Sequence, residues 1–530
     1  MANSVASKEG LPAADNHAAK ASSAATSDVD DSYEVYRQHE GEPIDPAESK
    51  RVLRKIDLRL LPILWLLYLL QYLDKNGINY VSAYGLQKGT NLHGDEYSWL
   101  ASIFYFGYLA GQWPGGVLMQ KLPIGKFLAG TCIAWGIILL TTPATTSFAG
   151  IATNRFLLGV IEGPVNPGFV IMMGMWYVSS EQPLRLETYY CTNGIATMFG
   201  GLIGYAVGHI NGGLDRWMYI FIIFGSWSFA AGILALIVLP DLPSKAKFLT
   251  PRERYVAVER VAKNRQGVKN SHFSRHQAIQ TIYDPKTWIL FIMAVGAQVP
   301  NSALTSFTSL VIKSFGFDTL GTQYLQIPGG AVQFLSLLGG GFICSKFPNI
   351  RCPTMIVANL ICILGSGMLV GLPDSNKWGR LVAIWLCYFQ GLGFSMSLTM
   401  ISSNIGGFTK KQLTGAIIFT GYCVGNIIGP QTFKKDEAPG YHSAYIAMLV
   451  GYCVKLTAVC VLYFYMWTVN KKRDRDLAAS GPTKEDEERA AIESGMHDMT
   501  GRGAQEEFVL AECLANRITE IDNKGFRYVL

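Results

Sequence analysis

From about residue 58 onward, long apolar runs alternate along the chain with short polar turns. About twelve of these runs reach the roughly 20 residues that an α-helix needs to cross the hydrocarbon core of a bilayer. They lie near 58–80, 97–119, 126–144, 149–173, 187–209, 216–239, 287–312, 323–345, 353–372, 379–402, 412–430 and 441–468. The pattern therefore predicts an all-α membrane protein with twelve transmembrane helices.

One long polar insertion, residues 241–285, divides the predicted helices into six and six. Two six-helix bundles around such a loop are the layout of the major facilitator fold, in which the bundles enclose a site near the membrane midplane. We predict five regions, namely a disordered cytosolic tail at 1–55, a first bundle at 56–240, a cytosolic loop at 241–285, a second bundle at 286–470 and a cytosolic tail at 471–530.

Basic residues predict the orientation, because Lys and Arg beside transmembrane helices stay in the cytosol. They favour one side of the predicted bundles. That side holds the central loop, with nine Lys and Arg, and the groups Lys50, Arg51, Arg54 and Lys55, Lys121 and Lys126, Lys410 and Lys411, and Lys471, Lys472, Arg473 and Arg475. Both termini are therefore expected in the cytosol.

The composition supports a chain that lies mostly in lipid. Of the 530 residues, 49% are hydrophobic and 16% are charged, and the mean hydropathy is +0.22. Soluble domains carry roughly 25% charged residues, so a large soluble enzyme is excluded. The net charge of +6 comes from basic residues beside the predicted helices, which gives no reason to expect a nucleic-acid partner. The ten cysteines lie mostly inside apolar runs, without the spacing of disulfides or metal ligands.

A polytopic membrane enzyme is the competing class, and the sequence does not favour it. His272 and His276 have helical spacing, but no Glu follows the first His, so a zinc protease is not predicted. The glycine clusters at 200–204 and 339–341 lack the Lys and the strand of a phosphate loop, and we interpret them as close helix packing. We predict no enzyme activity, metal or cofactor.

Ionisable residues inside a membrane are costly, and each is a functional candidate. Asp74 and Lys75 follow the apolar run of the first predicted helix. Alternatively, this pair marks the outer interface, with Lys75 reaching to water. Two further candidates have structural interpretations: helix packing or snorkelling for Lys455, and an interfacial position for His209.

Helix four supplies a second pair, Arg155 and Glu162. Seven residues are about two helical turns, so the two side chains share one face roughly 10.5 Å apart along the axis. This separation suits an anion at Arg155 and a proton on Glu162, although each residue could instead neutralise a charge on another helix. A substrate carboxylate would then pair with Lys75 and Arg155, while Asp74 and Glu162 would compete for these cations unless protonated.

Several motifs resemble the allantoate permease family of fungi, in the anion:cation symporter branch of the major facilitator superfamily. The resemblance covers nearly the whole chain from about residue 55. It rests on Tyr72-Leu73-Asp74-Lys75, Asn79-Tyr80-Val81-Ser82, Tyr97-Ser98-Trp99, Phe104-Tyr105-Phe106-Gly107-Tyr108, Arg155-Phe156-Leu157-Leu158-Gly159, Ile401-Ser402-Ser403-Asn404-Ile405 and Gly425-Asn426-Ile427-Ile428-Gly429-Pro430.

The resemblance implies a plasma-membrane transporter that imports a small organic anion together with a proton, such as allantoate, ureidosuccinate, nicotinate or pantothenate. It assigns proton coupling to Asp74 and Glu162 and substrate binding to Lys75 and Arg155. Asn426 becomes an expected substrate contact from the second bundle, and Tyr105 a looser one. The expected partners are the anion, the proton and the lipid bilayer, and a monomer is expected.

Two departures from the family pattern and two alternative functions stay open at this point. The loop after the second helix, residues 116–126, lacks the Asp of the superfamily's gating motif, and Lys75 stands where some of the branch have Arg. The alternative functions are an exporter of an acidic metabolite, in the same fold, and a non-transporting nutrient receptor that signals through its tails.

Overall fold

A computed structural model describes residues 44–178, 181–210, 212–262, 274–347, 349–406, 408–480 and 528–529. The regular secondary structure in these ranges is helical, without a strand. Most of the two predicted tails and the middle of the central loop lie outside the described residues, and so does His272.

Twelve helical segments, α1 to α12, make up the body of the molecule. They are α1 (Pro46–Ser82), α2 (Glu96–Lys121), α3 (Ile124–Thr141), α4 (Phe148–Glu162 and Val165–Trp176), α5 (Gln182–Tyr190 and Thr192–Val207), α6 (Arg216–Val238), α7 (Pro285–Ser302, Ala303–Phe307 and Thr308–Ser314), α8 (Thr319–Tyr324 and Ile327–Lys346), α9 (Arg351–Gly371), α10 (Lys377–Cys387 and Gln390–Asn404), α11 (Phe408–Gln431) and α12 (His442–Ser480). By length and composition, ten are apolar enough to cross a membrane, the other two being α2 and α5.

The first helix begins earlier than the predicted span near 58. Asp45 accepts a hydrogen bond from the Ala47 amide and Pro46 takes the first helical position, so the sequence starts a helix there. Apolar residues at a spacing of four, from Val52 to Leu64, then bury one face. We call the end of the bundle where α1 begins and α12 ends the terminal end, and the opposite end the far end.

The helices pack as two groups of six, as the sequence predicts. In the first group α3 packs on α6 and α2 on α4, and in the second group α7 packs on α11 and α12. The groups meet where α2 contacts α11 and where α5 contacts α8. At the α5–α8 contact, a Cβ added to Gly201 would lie 2.6 Å from the Gln323 carbonyl oxygen, so the glycine cluster at 200–204 permits this close approach.

The central loop contributes a short helix to each bundle. The helix Pro251–Ala262 is tied to the first bundle, because Glu253 pairs with Lys55 and Arg260 pairs with Glu181 at 2.7 Å. The helix Arg275–Tyr283 belongs to the second bundle, where Gln277 accepts a hydrogen bond of 2.9 Å from the Thr409 amide. Each bundle therefore carries its own part of the loop.

Candidate functional site

A cavity lies between the two bundles, and the roughly 680 Å³ of space not occupied by atoms at this place includes open solvent. Helices from both bundles contribute to its wall. The lining side chains are Tyr68, Gln71, Tyr72, Lys75, Tyr108, Asn166, Tyr190 and Asn193 from the first bundle, and Gln298, Asn301, Gln333, Leu337, Gln390, Phe394 and Tyr422 from the second.

The wall of this cavity is rich in hydrogen-bonding groups and poor in charge. It has seven side-chain amides and five tyrosines, and Lys75 is the one charged residue among the described residues that line it. Amides offer both donors and acceptors, and phenols add an apolar ring to a hydroxyl. The cavity can thus hold a small polar molecule, with a single fixed positive charge to orient it.

Lys75 faces into this space from α1, about two turns before that helix ends at Ser82. Its ammonium group donates a hydrogen bond to the Tyr422 hydroxyl and lies 5.0 Å from the Tyr422 ring centroid and 5.2 Å from that of Tyr105. Among the described residues, Lys75 forms no salt bridge with a carboxylate. Because Lys75 lines the cavity between the bundles, its position differs from the interfacial alternative.

The other three predicted ionisable residues lie behind the cavity wall, in the core of the first bundle. Asp74 accepts a hydrogen bond of 2.5 Å from the Ser228 hydroxyl of α6. The Arg155 guanidinium lies over the Phe221 ring, 5.6 Å from its centroid. Neither carboxylate oxygen of Glu162 has a hydrogen-bond partner in the described structure. All three are buried, and none of them lines the cavity.

Asn426 is also buried, one layer behind the wall contributed by the second bundle. It donates to the Gln298 side chain at 3.0 Å and accepts from the Asn301 side chain at 3.1 Å. Both partners line the cavity, so Asn426 orients two lining amides in this arrangement. Tyr105 lies outside the lining residues too, with its ring against Tyr422 at a centroid distance of 5.9 Å.

Several side chains at or near the cavity were missed by the sequence analysis. Gln298, Asn301 and Gln390 are uncharged, so a search for ionisable residues passes over them, although a polar residue inside an apolar run is itself a usable signal. Among the described residues, Glu187 is a fourth buried charged residue of the first bundle, and it packs beside Gly341 of α8. It opens a predicted span, where a charge is ordinarily attributed to the surface.

Lys455 and His209 are the two residues to which the sequence analysis gave a structural role. Lys455 is 1% exposed and packs beside Gly393 inside the second bundle, which is a packing position and not a snorkelling one. His209 is exposed at the far end, where its ring meets Tyr205 at 4.7 Å. No group of His, Cys, Asp and Glu that could hold a metal ion occurs in the described part of the chain.

Hydrogen bonds between the bundles close the far end of the cavity. Asn79 donates to the Gln326 side chain at 2.8 Å and accepts from the Ser309 amide at 2.7 Å. The Tyr97 hydroxyl donates to the Ser306 carbonyl at 2.7 Å. These bonds join α1 and α2 to α7 and α8 on the side opposite the terminal end.

Comparison with known proteins agrees with this architecture. Residues 64–430 match the family model of the Major Facilitator Superfamily. The chain belongs to the major facilitator superfamily. Because this family consists of transporters, the membership confirms a membrane transporter and not a membrane enzyme. It also confirms the predicted all-α fold of two bundles.

Relatives within the major facilitator superfamily include fungal proteins. An uncharacterized transporter of Schizosaccharomyces pombe is 38% identical over 83% of this chain and 84% of its own length. The allantoate permease of Saccharomyces cerevisiae is 31% identical over 87% of both chains. Among solved structures, a D-xylose-proton symporter superposes with a TM-score of 0.60 over 76% of this chain and 96% of its own, at 12% identity, which shows the common fold.

Proposed function

We propose that this transporter imports a small organic monoanion together with a proton across the plasma membrane, by alternating access of the central cavity. The basic residues at the terminal end would place that end in the cytosol. A single chain encloses the cavity, which supports action as a monomer.

Lys75 is the observation that carries the proposal. A cation in a cavity otherwise lined by amides and phenols gives an anionic group one place to bind, and the surrounding rings limit its exposure to water. A charge-assisted hydrogen bond there is stronger than a neutral one. One fixed charge suits a monocarboxylate better than a dianion.

The proton would be carried by Asp74 and Glu162. A carboxylate buried without hydrogen-bond partners is costly to keep ionised, and Glu162 has this environment close behind Lys75 and Arg155. When ionised, the two acids would attract these cations and compete with the substrate. Protonation would remove that competition, so that anion binding and proton binding assist one another.

The substrate range is proposed from the lining groups and from the relative named allantoate permease. Seven amides can donate to and accept from a ureido group, as in the monoanion allantoate and in the dianion ureidosuccinate, which a single fixed charge suits less well. Five tyrosines offer apolar faces to a ring or chain, as in nicotinate or pantothenate.

Uptake assays in cells that lack their own permeases would test the proposal. The panel should contain labelled allantoate, ureidosuccinate, nicotinate and pantothenate, with a neutral amide for comparison, at external pH 5 and pH 7. We expect at least one monocarboxylate to accumulate, faster at pH 5, while the neutral amide does not. Outward movement under an inward proton gradient would instead support an exporter.

A substitution of Lys75 tests its role in substrate binding. Lys75→Gln removes a hydrogen bond to a charged group, which corresponds to roughly 1.5–3 kcal/mol or about a 10- to 150-fold loss of affinity. Lys88→Gln, at an exposed site of the far end, is the matched control and should leave uptake unchanged. Equal affinity in both variants would remove Lys75 from the binding site.

A further inference from the structure

The segment Tyr528–Val529 lies against the terminal end of the second bundle, far in sequence from everything it contacts. The Tyr528 side chain is buried, with 4% of its surface exposed. Its neighbours are the first turn of α7, the last residue of α10 and the terminal part of α12. This contact plays no part in the transport mechanism proposed above.

Two asparagine side chains bind the backbone of this segment. Asn470 of α12 accepts from the Tyr528 amide and donates to the Tyr528 carbonyl, both at 2.9 Å. Asn404 of α10 accepts from the Val529 amide at 2.7 Å and donates to the Val529 carbonyl at 3.0 Å. Each amide group therefore satisfies the donor and the acceptor of one residue, as a neighbouring strand would.

The aromatic side chain is held separately. Lys286 of α7 donates to the Tyr528 hydroxyl at 2.9 Å and lies 4.2 Å from the ring centroid, and the Arg473 guanidinium lies 4.9 Å from the same centroid. Lys286 also donates to the carbonyl of Asn404 at 3.3 Å. One lysine thus contacts both the segment and the end of α10.

A buried carboxylate of the second bundle pairs with two lysines at this site. Asp284, just before α7, pairs with Lys410 at 2.7 Å and with Lys286 at 3.5 Å. Burial opposes ionisation of Asp284, but the two lysines outweigh it and hold the pKa of the carboxyl below its ordinary value. The lysine that contacts Tyr528 is therefore fixed by a buried ion cluster that also includes the start of α11.

The segment consequently joins the ends of three helices. α10 is the member of interest, because Gln390 and Phe394 on the same helix line the cavity. The final turn of α10 ends at Asn404, and only a short connection, residues 405–407, separates it from α11. A contact that fixes Asn404 restricts the terminal end of a cavity-lining helix.

We propose that Tyr528–Val529 is an intramolecular latch that docks onto Asn404, Asn470 and Lys286 and holds the terminal end of α10 against α7 and α12. The chain's own segment occupies this site. The two asparagines bind its backbone, and Lys286 binds the phenol of Tyr528. A partner that captured Tyr528 would have to displace it from the transporter, so release of the latch would couple the tail to the cavity through α10.

Hydrogen–deuterium exchange of the full chain in lipid nanodiscs would test the latch. In the wild-type protein, we expect the amides of Tyr528 and Val529 to be protected, because each donates a hydrogen bond to an asparagine side chain. Asn470→Ala should accelerate exchange of these amides about tenfold, since two hydrogen bonds are lost. Thr468→Ala, which removes an exposed hydroxyl bonded within its own helix, is the matched control and should change nothing.

A second variant separates latch release from damage to the bundle. Val529→Pro lies in the segment itself and removes the amide that Asn404 accepts, without altering a helix. We expect it to increase exchange at both Tyr528 and the last turn of α10, residues 399–404. Unprotected amides at Tyr528 and Val529 in the wild-type protein would overturn the proposal, and so would an unchanged α10 in Val529→Pro.

Discussion

Glu162 and Arg155 share one face of α4, yet their surroundings differ. Arg155 has an aromatic ring beneath it and Glu162 has no hydrogen-bond partner in the described structure. Both are buried, where an unpartnered charge is costly. In the proposed mechanism Glu162 is reversibly protonated, and this role gives the residue a separate prediction.

Glu162→Gln imitates the protonated acid. We expect it to abolish accumulation driven by a proton gradient while exchange of labelled for unlabelled substrate continues at a comparable rate, because exchange needs no net proton movement. The measurement compares the two fluxes in the same proteoliposomes. Equal loss of accumulation and exchange would contradict a coupling role for this residue.

Asp284 allows a pH-dependent prediction at the residue scale. The pKa of Asp284 is lower in the folded protein than in the unfolded chain, where it is about 4. The ion pairs of Asp284 therefore stabilise the fold at pH values above the unfolded pKa, and this contribution is lost as the pH falls through the lower folded pKa. Asp284→Asn would leave two buried lysines without this carboxylate, which should cost roughly 3–5 kcal/mol near neutral pH.

Thermal unfolding from pH 7 to pH 3 would check this expectation. The difference in midpoint between wild-type and Asp284→Asn should be constant above about pH 5 and shrink below about pH 4. Glu48→Gln removes a partly exposed pair with Arg252 at 3.2 Å and should cost about 0–1 kcal/mol. A difference that grew on acidification would show that the sign of the Asp284 contribution is wrong.

At the scale of elements, α2 and α4 pack with their backbones in contact. A Cβ added to Gly159 would lie 2.8 Å from the Tyr108 amide nitrogen, so no side chain fits there without moving a helix. Small residues at such a seam allow close packing in lipid, where water provides no hydrophobic force between helices. The seam also places Arg155 and Glu162 within the first bundle.

Gly159→Ala should therefore destabilise the protein by roughly 1–3 kcal/mol through overpacking. Gly174→Ala, on the same helical segment but with no atom within 4 Å of the added Cβ, should be neutral or stabilise it by up to about 1 kcal/mol. Thermal stability in detergent measures both variants. The prediction fails if the two substitutions have the same effect.

At the scale of the whole molecule, hydrogen bonds join the two bundles at the far end. Asn79 is a buried bridge at the far end, bonded to Gln326 and to the Ser309 amide. Alternating access requires these bonds to break as the bundles rock against each other. Their strength therefore sets part of the balance between the conformations.

Asn79→Ala should shift this balance toward opening at the far end. We expect pulsed electron paramagnetic resonance between spin labels at Lys88 and Lys313, both exposed at that end, to show a larger population at long distance. Thr153→Ala removes an exposed hydroxyl bonded within α4 and serves as the control. An unchanged distance distribution in Asn79→Ala would exclude this residue as a closing contact.

The sequence determined the number of helices, their division into six and six, and three of the buried charges of the first bundle, Asp74, Arg155 and Glu162, but not Glu187. These follow from local properties, because a bilayer of fixed thickness requires apolar runs of fixed length and makes each charge within them costly. The start of α1 was less predictable, since the polar turns from Pro46 to Ile56 lie outside the apolar run but still form part of the helix.

Only the tertiary structure decided which side chains meet. Helix rotation and the way the segments of α4, α5, α7, α8 and α10 pack are set by contacts between residues far apart in sequence. They turn Lys75 and seven amides toward one cavity, place Asn426 behind two of these amides, and bring Tyr528 onto α7, α10 and α12. Local hydrophobicity determines that each helix lies in lipid, whereas packing between helices determines which face of each helix points to the cavity.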